Sequence, residues 1–329
     1  MTQNNIGNDV NQIKINSLNK IHGQPDVVNL LKVSLDSYFM CRSTAKPENM
    51  PTWGPAILLG PSGVGKSLVA QAIHSELGNL TLVETNGEMV NSSSEICSIL
   101  LNADENTTIF IDEAQAINTK VQHILLTALS EKKLYVPRGN SRKMSFSIPL
   151  RNYSLILAST HEYMFKSALL NRMRIYCRFN YYSIDDLTNI VKQRANSLGW
   201  KYENEEVLRI IAIRAKQTPR IALNRNLQMA YNVSTSHSHD MITMADVEEA
   251  FKLLKIDELG LDTLERQYLI ALSSGSNKLN ILSSKTGLPT ATISNVIEPF
   301  LLREGLIDKD GSTRILTEKG KKHILESQQ

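Results

Sequence analysis

The sequence predicts an α/β fold, a doubly wound parallel sheet followed by a small helical domain and a C-terminal winged helix. Three observations predict it. Short apolar strands alternate with amphipathic helices over the first part of the 329 residues, a pattern typical of a parallel sheet covered on both faces. From about Tyr181 the strand patterns stop and helical patterns take over. Near the C-terminus, helix–turn–helix patterns precede a hairpin signal at Asp310-Gly311, which together describe a winged helix.

The parallel sheet is predicted from four apolar strands, at Ala56–Leu59, Leu80–Val83, Thr107–Ile111 and Ser154–Ala158. Apolar residues at helical spacing predict the helices around them, at Leu30–Tyr38, Leu68–Leu77, Ser92–Leu101 and around Val121–Ala128. In doubly wound sheets, ligands bind at the carboxyl ends of the strands. Gly60, Asp112 and Ser159 each follow one of the predicted strands. We therefore expect them at one edge of the sheet.

Helix start signals divide the remainder of the chain. Four helices are predicted in the small domain, beginning at Ser183, near Glu205, at Thr218-Pro219 and at Thr243. Asp262 caps the first helix of the next domain, whose turn at Lys285–Pro289 leads into a second helix. This organisation predicts a tail over residues 1–13, a large α/β domain over 14–181, a small helical domain over 182–255 and a winged helix over 256–329. A winged helix binds nucleic acid or docks proteins, and the alternative is a packing domain that touches no DNA.

Composition sets broad limits. With 42% hydrophobic and 21% charged residues, the chain has the profile of a globular protein, and its net charge of +3 permits nucleic-acid binding without demonstrating it. The cysteines Cys41, Cys97 and Cys177 form no CxxC pair, which predicts reduced thiols in a cytoplasmic protein and no structural zinc site. No apolar run is long enough for a membrane span, and the Asn-rich N-terminus does not resemble a secretion signal.

The strongest motif is Gly60–Ser67, which fits the pattern G-x-x-x-x-G-K-[ST] between a strand and a helix. Glycines let backbone N–H groups close around a polyphosphate, and the helix N-terminus adds partial positive charge. In this pattern Lys66 reaches the β- and γ-phosphates, and the Ser67 hydroxyl binds Mg²⁺. The alternative is an accidental Gly-rich turn. The predicted nucleotide contacts in the motif are Gly60, Gly63, Val64, Gly65, Lys66, Ser67 and Leu68.

Polar residues end the two following core strands. Asp112 is placed to hold Mg²⁺, and Glu113 is placed to polarise the water that attacks the γ-phosphate. These adjacent carboxylates could instead cap the next helix. Ser159 and Thr160 end the next strand along the chain, where a hydroxyl could sense the γ-phosphate or simply form a turn. We select Thr160 as the candidate sensor, although the sequence does not separate it from Ser159.

Two arginines have positions that suggest nucleotide contacts. Arg172 lies just beyond the sheet, where it could project toward the nucleotide of a neighbouring subunit and stabilise transition-state charge. Arg220 lies in the first turn of a small-domain helix, where it opposes the helix dipole. A phosphate bound in the same chain would explain a cation there. The alternative for either residue is a solvated surface arginine.

These motifs, in this order and spacing, resemble AAA+ ATPases, and with the winged helix they resemble the RuvB family of Holliday-junction branch-migration motors from about Leu18 to Ile324. The segments that carry the closer resemblance are Ile21–Gln24, Asn171–Met173, Thr218–Ala222 and Glu298–Leu306. The resemblance implies ATP/ADP and Mg²⁺ as cofactors, with Ile21 and His22 near the nucleotide base. It also implies a hexameric ring on duplex or four-way junction DNA, in DNA recombination and repair.

The resemblance further implies a partner. A hairpin in the ATPase domain of such proteins docks onto RuvA, and here it would be Leu134–Ile148. Arg138 replaces the usual Ile near the tip of this hairpin. With Gly139, Arg142 and Lys143 also near the tip, the hairpin is more basic than is usual in the family. In the wing, Lys309 and Arg314 are the expected contacts to the DNA backbone. The sequence also departs from the family at Leu170, Arg174 and Asp310–Thr313. An AAA+ loader or switch that recruits proteins to DNA without translocating is the alternative function.

Overall fold

The computed structural model describes residues 8–13, 15–46, 50–137, 145–275 and 277–326. The chain divides into two compact units, one over Ile13–Asp186 and one over Leu187–Gln329, and the described residues 8–12 belong to the second. No helix in the described residues is both long and apolar enough to span a membrane.

The first unit is built on a five-stranded parallel sheet with the order β2-β3-β6-β1-β7. Its strands are β1 (Ala56–Leu59), β2 (Thr81–Asn86), β3 (Thr107–Asp112), β6 (Ser154–Ser159) and β7 (Ile175–Arg178). The antiparallel pair β4 (Lys133–Pro137) and β5 (Ser145–Pro149) forms a separate hairpin. The central strands β1 and β6 are fully buried and β3 nearly so, as their apolar sequences predict. The predicted doubly wound parallel sheet is confirmed.

Helices cover the sheet and connect its strands. They are α1 (Pro25–Thr44), α2 (Lys66–Leu77), α3 (Ser93–Asn102), α4 (Thr119–Glu131) and the short α5 (Ser167–Leu170), with 3₁₀ turns at Leu18–Lys20, Ala114–Ala116 and Glu162–Met164. Local chemistry sets their ends. Gly78, in the left-handed conformation, ends α2. Ser92 and Glu95 form a capping box that starts α3.

The second unit contains the small helical domain and the winged helix. The helical domain is formed by α6 (Ile184–Leu198, which begins at the end of the first unit), α7 (Glu205–Ile213), α8 (a π-helix at Ile221–Leu227 that continues as Gln228–Ser236) and α9 (Met244–Leu254). The winged helix follows with α10 (Thr263–Ser273), α11 (Leu279–Thr286), α12 (Thr290–Thr292, a π-helix at Ile293–Ile297, then Glu298–Arg303), β8 (Ile307–Asp310), β9 (Thr313–Leu316) and α13 (Glu318–Glu326).

The observed fold differs from the predicted one in two places. The edge strand β7 was not predicted. The predicted tail is wrong in part, because Val10 is buried. The backbone N–H of Val10 donates to Oε1 of Gln228 at 2.7 Å, and its carbonyl accepts from Arg194. These contacts hold residues 8–12 against the small helical domain. The tip of the predicted partner hairpin, with Arg138, Gly139, Arg142 and Lys143, lies outside the described residues.

Candidate nucleotide site

The phosphate loop connects β1 to α2 at the carboxyl edge of the sheet. Gly65 is the N-cap of α2 with φ 96°, a left-handed conformation that favours glycine. A Cβ on Gly60 would lie 2.7 Å from the carbonyl oxygen of Phe179 on the neighbouring chain segment. Lys66 is buried, and its Nζ donates to the carbonyl oxygens of Gly60 at 2.8 Å and Pro61 at 2.7 Å. The loop therefore encloses its own ammonium group.

The structure brings the two predicted metal ligands together. The Ser67 hydroxyl donates to Oδ2 of Asp112 at 2.6 Å, and the other carboxylate oxygen of Asp112 accepts the N–H of Glu113 at 2.8 Å. A hydroxyl and a carboxylate side by side offer the hard oxygen ligands that Mg²⁺ prefers. The donor set at the end of β3 and the start of α2 therefore fits Mg²⁺ bound with a nucleotide.

A glutamine that the sequence analysis missed joins the remaining catalytic candidates. Glu113 has φ 45° and ψ 40°, a left-handed conformation that is unusual for a residue other than glycine and is found at functional sites. Nε2 of Gln115 donates to the carboxylate of Glu113 and to Oγ1 of Thr160, the latter at 3.2 Å. Its Oε1 accepts from the Ser159 hydroxyl at 2.7 Å and from the Thr160 N–H at 3.3 Å. Gln115 therefore ties the carboxyl end of β3 to that of β6.

The two candidate hydroxyls at the end of β6 differ in their surroundings. Ser159 is fully buried, and its hydroxyl is engaged by Gln115. Thr160 is only partly buried, and its hydroxyl also lies 2.8 Å from Nδ1 of His161. Thr160 is therefore the more accessible of the two residues, and its role as a phosphate sensor stays a prediction.

The segment that would hold the nucleotide base reaches the phosphate loop through Tyr182. The Gln24 side chain exchanges two hydrogen bonds with the backbone of Asn180, which fixes the segment containing the half-buried Ile21 and His22. Tyr182 packs against Gly23 and donates its hydroxyl proton to the carbonyl of Val64 at 2.8 Å. Burial raises the pKa of Tyr182 to about 12, so the phenol stays a donor at neutral pH. Neither Tyr182 nor Gln115 belongs to a motif with a fixed spacing.

The two candidate arginines both lie at the surface. Arg172 follows α5 and is exposed, and its Nε donates to Oγ of Ser130 on α4 at 2.8 Å. Among the described residues, its contact is this hydrogen bond to a serine and not a buried ion pair. Arg220 is exposed in the first turn of the helix that contains α8, in the second unit. Its contact with a phosphate stays a prediction.

The winged helix corrects the predicted DNA contacts. Arg314 is 8% exposed. Its Nε donates to Oε1 of the fully buried Glu298 at 2.9 Å, and its Nη1 donates to the carbonyl of Ser312. The interpretation of Arg314 as a DNA contact is therefore wrong for this structure, because a buried carboxylate occupies its guanidinium. Lys309 also pairs with Glu298, at 2.6 Å, but keeps about a third of its side chain exposed.

Comparisons with known proteins agree with this architecture. Three family models match in order along the chain. The "Holliday junction DNA helicase RuvB P-loop domain" matches residues 13–179, the "RuvB AAA lid domain" matches residues 182–257, and the "RuvB C-terminal winged helix domain" matches residues 258–325.

Curated proteins and solved structures are similar over nearly the whole chain. The "Holliday junction branch migration complex subunit RuvB" of Fervidobacterium nodosum is 30% identical over 323 residues, which are 97% of this chain and 90% of that protein. That of Thermosipho melanesiensis is 33% identical over 82% of this chain and 86% of its own. The structure of the Thermotoga maritima RuvB branch migration motor has a TM-score of 0.79 and 28% identity, covering 95% of this chain and 98% of that one. The chain belongs to the RuvB family.

Proposed function

We propose that this protein hydrolyses ATP to drive branch migration of Holliday junctions, as a ring of identical subunits on duplex DNA. The observation that carries the proposal is the combination, on one chain, of an assembled phosphate-loop site with the three RuvB domains in order. Without the winged helix, the nucleotide site alone would equally suit the alternative of an AAA+ loader or switch.

The residues of the site take defined parts in hydrolysis. Lys66 and the loop N–H groups bind the phosphates, and Ser67 with Asp112 holds Mg²⁺. When bound with ATP, Mg²⁺ would supply positive charge to the phosphates at the side chains of Ser67 and Asp112. Glu113 accepts a proton from the attacking water, and Gln115 orients the Glu113 carboxylate for this task. Thr160 orients the γ-phosphate from the end of β6.

We propose that a second subunit helps to stabilise the negative charge that develops on the phosphate in the transition state. Arg172 is exposed beside α4, from which it would extend to the nucleotide of a neighbour, whereas Arg220 would contact phosphate from the small domain. An arginine supplied in trans couples hydrolysis to assembly. A hexameric ring with one nucleotide site at each junction between subunits would let every Arg172 act on a neighbour's nucleotide and would make hydrolysis depend on assembly.

A second protein would bind the β4–β5 hairpin. Tyr135 and Phe146 are about half exposed on its described part, and exposed aromatic side chains favour protein docking. We propose a RuvA-like partner for this surface. For DNA, the surface-accessible Lys309 and not Arg314 is the proposed backbone contact in the wing, so affinity for DNA is expected to fall as the salt concentration rises.

The proposal is tested with a fluorescently labelled four-way junction, alone and with a RuvA protein added. ATP should drive separation of the junction into two duplexes, and junction DNA should stimulate hydrolysis. Lys66→Ala is the matched control and should abolish both activities. Hydrolysis that DNA stimulates without any strand exchange, under both conditions, would favour the loader alternative and overturn the motor assignment.

A further inference from the structure

Two histidines and a buried carboxylate meet at the connection between α8 and α9 in the small helical domain. Nδ1 of His239 lies 3.0 Å from Oδ1 and 3.1 Å from Oδ2 of Asp246, and Nδ1 of His237 lies 3.6 Å from Oδ1. One ligand atom from each of these residues lies within 4.8 Å of the other two. Ligand atoms around a tetrahedral Zn²⁺ are roughly 3.3 Å apart. The three groups are therefore close enough together to reach one metal ion.

The surroundings hold these three groups in place. Asp246 is 1% exposed, and its Oδ2 accepts from the N–H of Thr243 at 2.9 Å and from the Thr243 hydroxyl at 2.7 Å. These bonds belong to the capping box that starts α9, so Oδ1 is left facing the two imidazoles. The N–H of His239 donates to the carbonyl of Ser234 at 2.9 Å, which fixes the turn. Such outer contacts orient ligands before a metal arrives.

The outer nitrogen of His237 also has an acidic neighbour. Its Nε2 lies 3.7 Å from Oε1 of Glu249, on the next turn of α9. A carboxylate near the second ring nitrogen favours the tautomer that carries its proton there, which leaves the Nδ1 lone pair free for a metal. The two imidazole side chains are 42% and 44% exposed. A water molecule can therefore complete a four-coordinate site.

We propose that His237, His239 and Asp246 form a binding site for a divalent transition metal, with Zn²⁺ as the fitting ion. Two imidazoles and one carboxylate select Zn²⁺, Co²⁺ or Ni²⁺ over the harder Mg²⁺. The site is separate from the nucleotide site, whose oxygen ligands suit Mg²⁺. A bound ion joins the turn after α8 to the first turns of α9, and this stabilises the helical domain that carries Arg220.

The experiment uses the full-length, untagged protein after treatment with a chelator. One Zn²⁺ per chain should bind in calorimetry, and Co²⁺ should give the visible absorption of tetrahedral coordination, which Mg²⁺ in excess does not remove. Zn²⁺ should raise the midpoint of thermal unfolding in proportion to the logarithm of its concentration above the Kd. The double variant His237→Asn/His239→Gln should bind Zn²⁺ at least about 100-fold more weakly, since it removes two ligands.

A histidine outside the cluster provides the matched control. His123 is exposed on α4, and His123→Gln should leave Zn²⁺ affinity and the Co²⁺ spectrum unchanged. Circular dichroism would verify that both variants fold. Equal Zn²⁺ affinity in the double variant and the unsubstituted chain, or absence of the tetrahedral Co²⁺ spectrum, would overturn the proposal. The histidines would then serve only as hydrogen-bond partners of Asp246.

Discussion

Glu298 is the residue on which the inside of the winged helix depends. It is fully buried, yet it accepts from Arg314, from Lys309 and from the Tyr268 hydroxyl at 2.9 Å. Burial alone would raise the pKa of Glu298, but the hydrogen bonds from these three residues outweigh burial and hold that pKa below its ordinary value of 4.5. The carboxylate is therefore charged at neutral pH and joins α12 to the wing.

We predict that Arg314→Ala destabilises the winged helix. Removing the guanidinium leaves Glu298 buried with one cation fewer, and breaking a buried ion pair costs about 3–5 kcal/mol. The free energy of unfolding from urea denaturation measures this loss. Lys322→Ala is the control, because Lys322 pairs with Glu326 at the surface and an exposed pair contributes less than about 1 kcal/mol. Unchanged stability in Arg314→Ala with weakened DNA binding would restore the original interpretation of Arg314 as a DNA contact.

The lowered pKa of Glu298 also predicts how stability depends on pH. A carboxyl group whose pKa is lower in the folded state than in the unfolded state stabilises the fold fully above the unfolded pKa, and this stabilisation is lost as the pH falls through the folded pKa. We expect the free energy of unfolding to decrease below about pH 4.5. The decrease should be smaller in Glu298→Gln, which carries no titrating proton. Parallel pH profiles for the two proteins would contradict this expectation.

Gln115 offers a second test at the residue scale. Because its amide contacts Glu113 and both residues at the end of β6, Gln115→Ala should misplace the catalytic carboxylate. A displacement of about 1 Å costs roughly 10- to 100-fold in kcat, whereas KM for ATP should change little. In a double-mutant cycle, Gln115→Ala should lower kcat no further once Glu113→Gln is present. Additive losses would show that Gln115 acts independently of Glu113.

The sequence predicted these sites unevenly, for physical reasons. Lys66, Ser67 and Asp112 could be placed because phosphate and Mg²⁺ binding demand fixed residue types at fixed spacing, and the 2.6 Å contact between Ser67 and Asp112 agrees with that demand. The environment of Arg314 could not be predicted from the sequence, because its partner Glu298 lies on another element. A basic residue in a wing has the same local pattern whether it faces DNA or a buried carboxylate.

At the scale of elements, burial separates the strands that were predicted well from those that were not. The central strands β1, β3 and β6 each contain a buried run of apolar residues and were predicted to within a residue. The edge strand β2 extends through the polar Glu84, Thr85 and Asn86, and the edge strand β7 ends in Arg178. A strand at the edge of a sheet is covered less completely, so its sequence carries a weaker hydrophobic signal.

Proline explains an irregularity in α12. Pro299 has no N–H to donate to the carbonyl of Asn295, and its ring disfavours a regular helix at that point. The π-helix at Ile293–Ile297 ends two residues before Pro299, and its wider turn accommodates the missing bond.

An ion pair joins the two domains of the second unit. Lys216 and Gln217 both have positive φ, 51° and 60°, in the turn just before Thr218 and Arg220. Lys216 contacts Glu265 of α10 in a buried pair, and the Gln217 amide donates to Glu304 at 3.0 Å. Burial raises the pKa of Glu265 even though Lys216 opposes the shift. The interaction with Lys216 therefore only partly offsets the free-energy cost of removing the Glu265 carboxylate from water.

We predict that Lys216→Ala lowers the free energy of unfolding by about 3–5 kcal/mol, since it leaves Glu265 buried without its cation. The double variant Lys216→Met/Glu265→Gln should recover most of this loss, because neither side chain then carries a charge. Denaturation of the three proteins in parallel provides the measurement. Equal stability of the single and double variants would indicate that the charge of Glu265 is solvated by other means.

At the scale of the whole molecule, the proposed sharing of each site between subunits has a specific signature. Arg172→Ala should lower ATP turnover by roughly 10³- to 10⁵-fold while leaving nucleotide affinity unchanged. Mixing Arg172→Ala with Glu113→Gln should restore part of the activity, because the intact phosphate loop of one chain meets the intact arginine of the other. Steady-state hydrolysis across a series of mixing ratios tests this. No recovery at any ratio would indicate that Arg172 acts within its own chain.

The join at Lys216 and Gln217 has a mechanical consequence. It lies between the helix that carries Arg220 and the elements α10 and α12 of the winged helix, and the two domains share one compact unit. If Arg220 were displaced, these contacts would transmit the movement to the winged helix, so the two domains would move together as one rigid body.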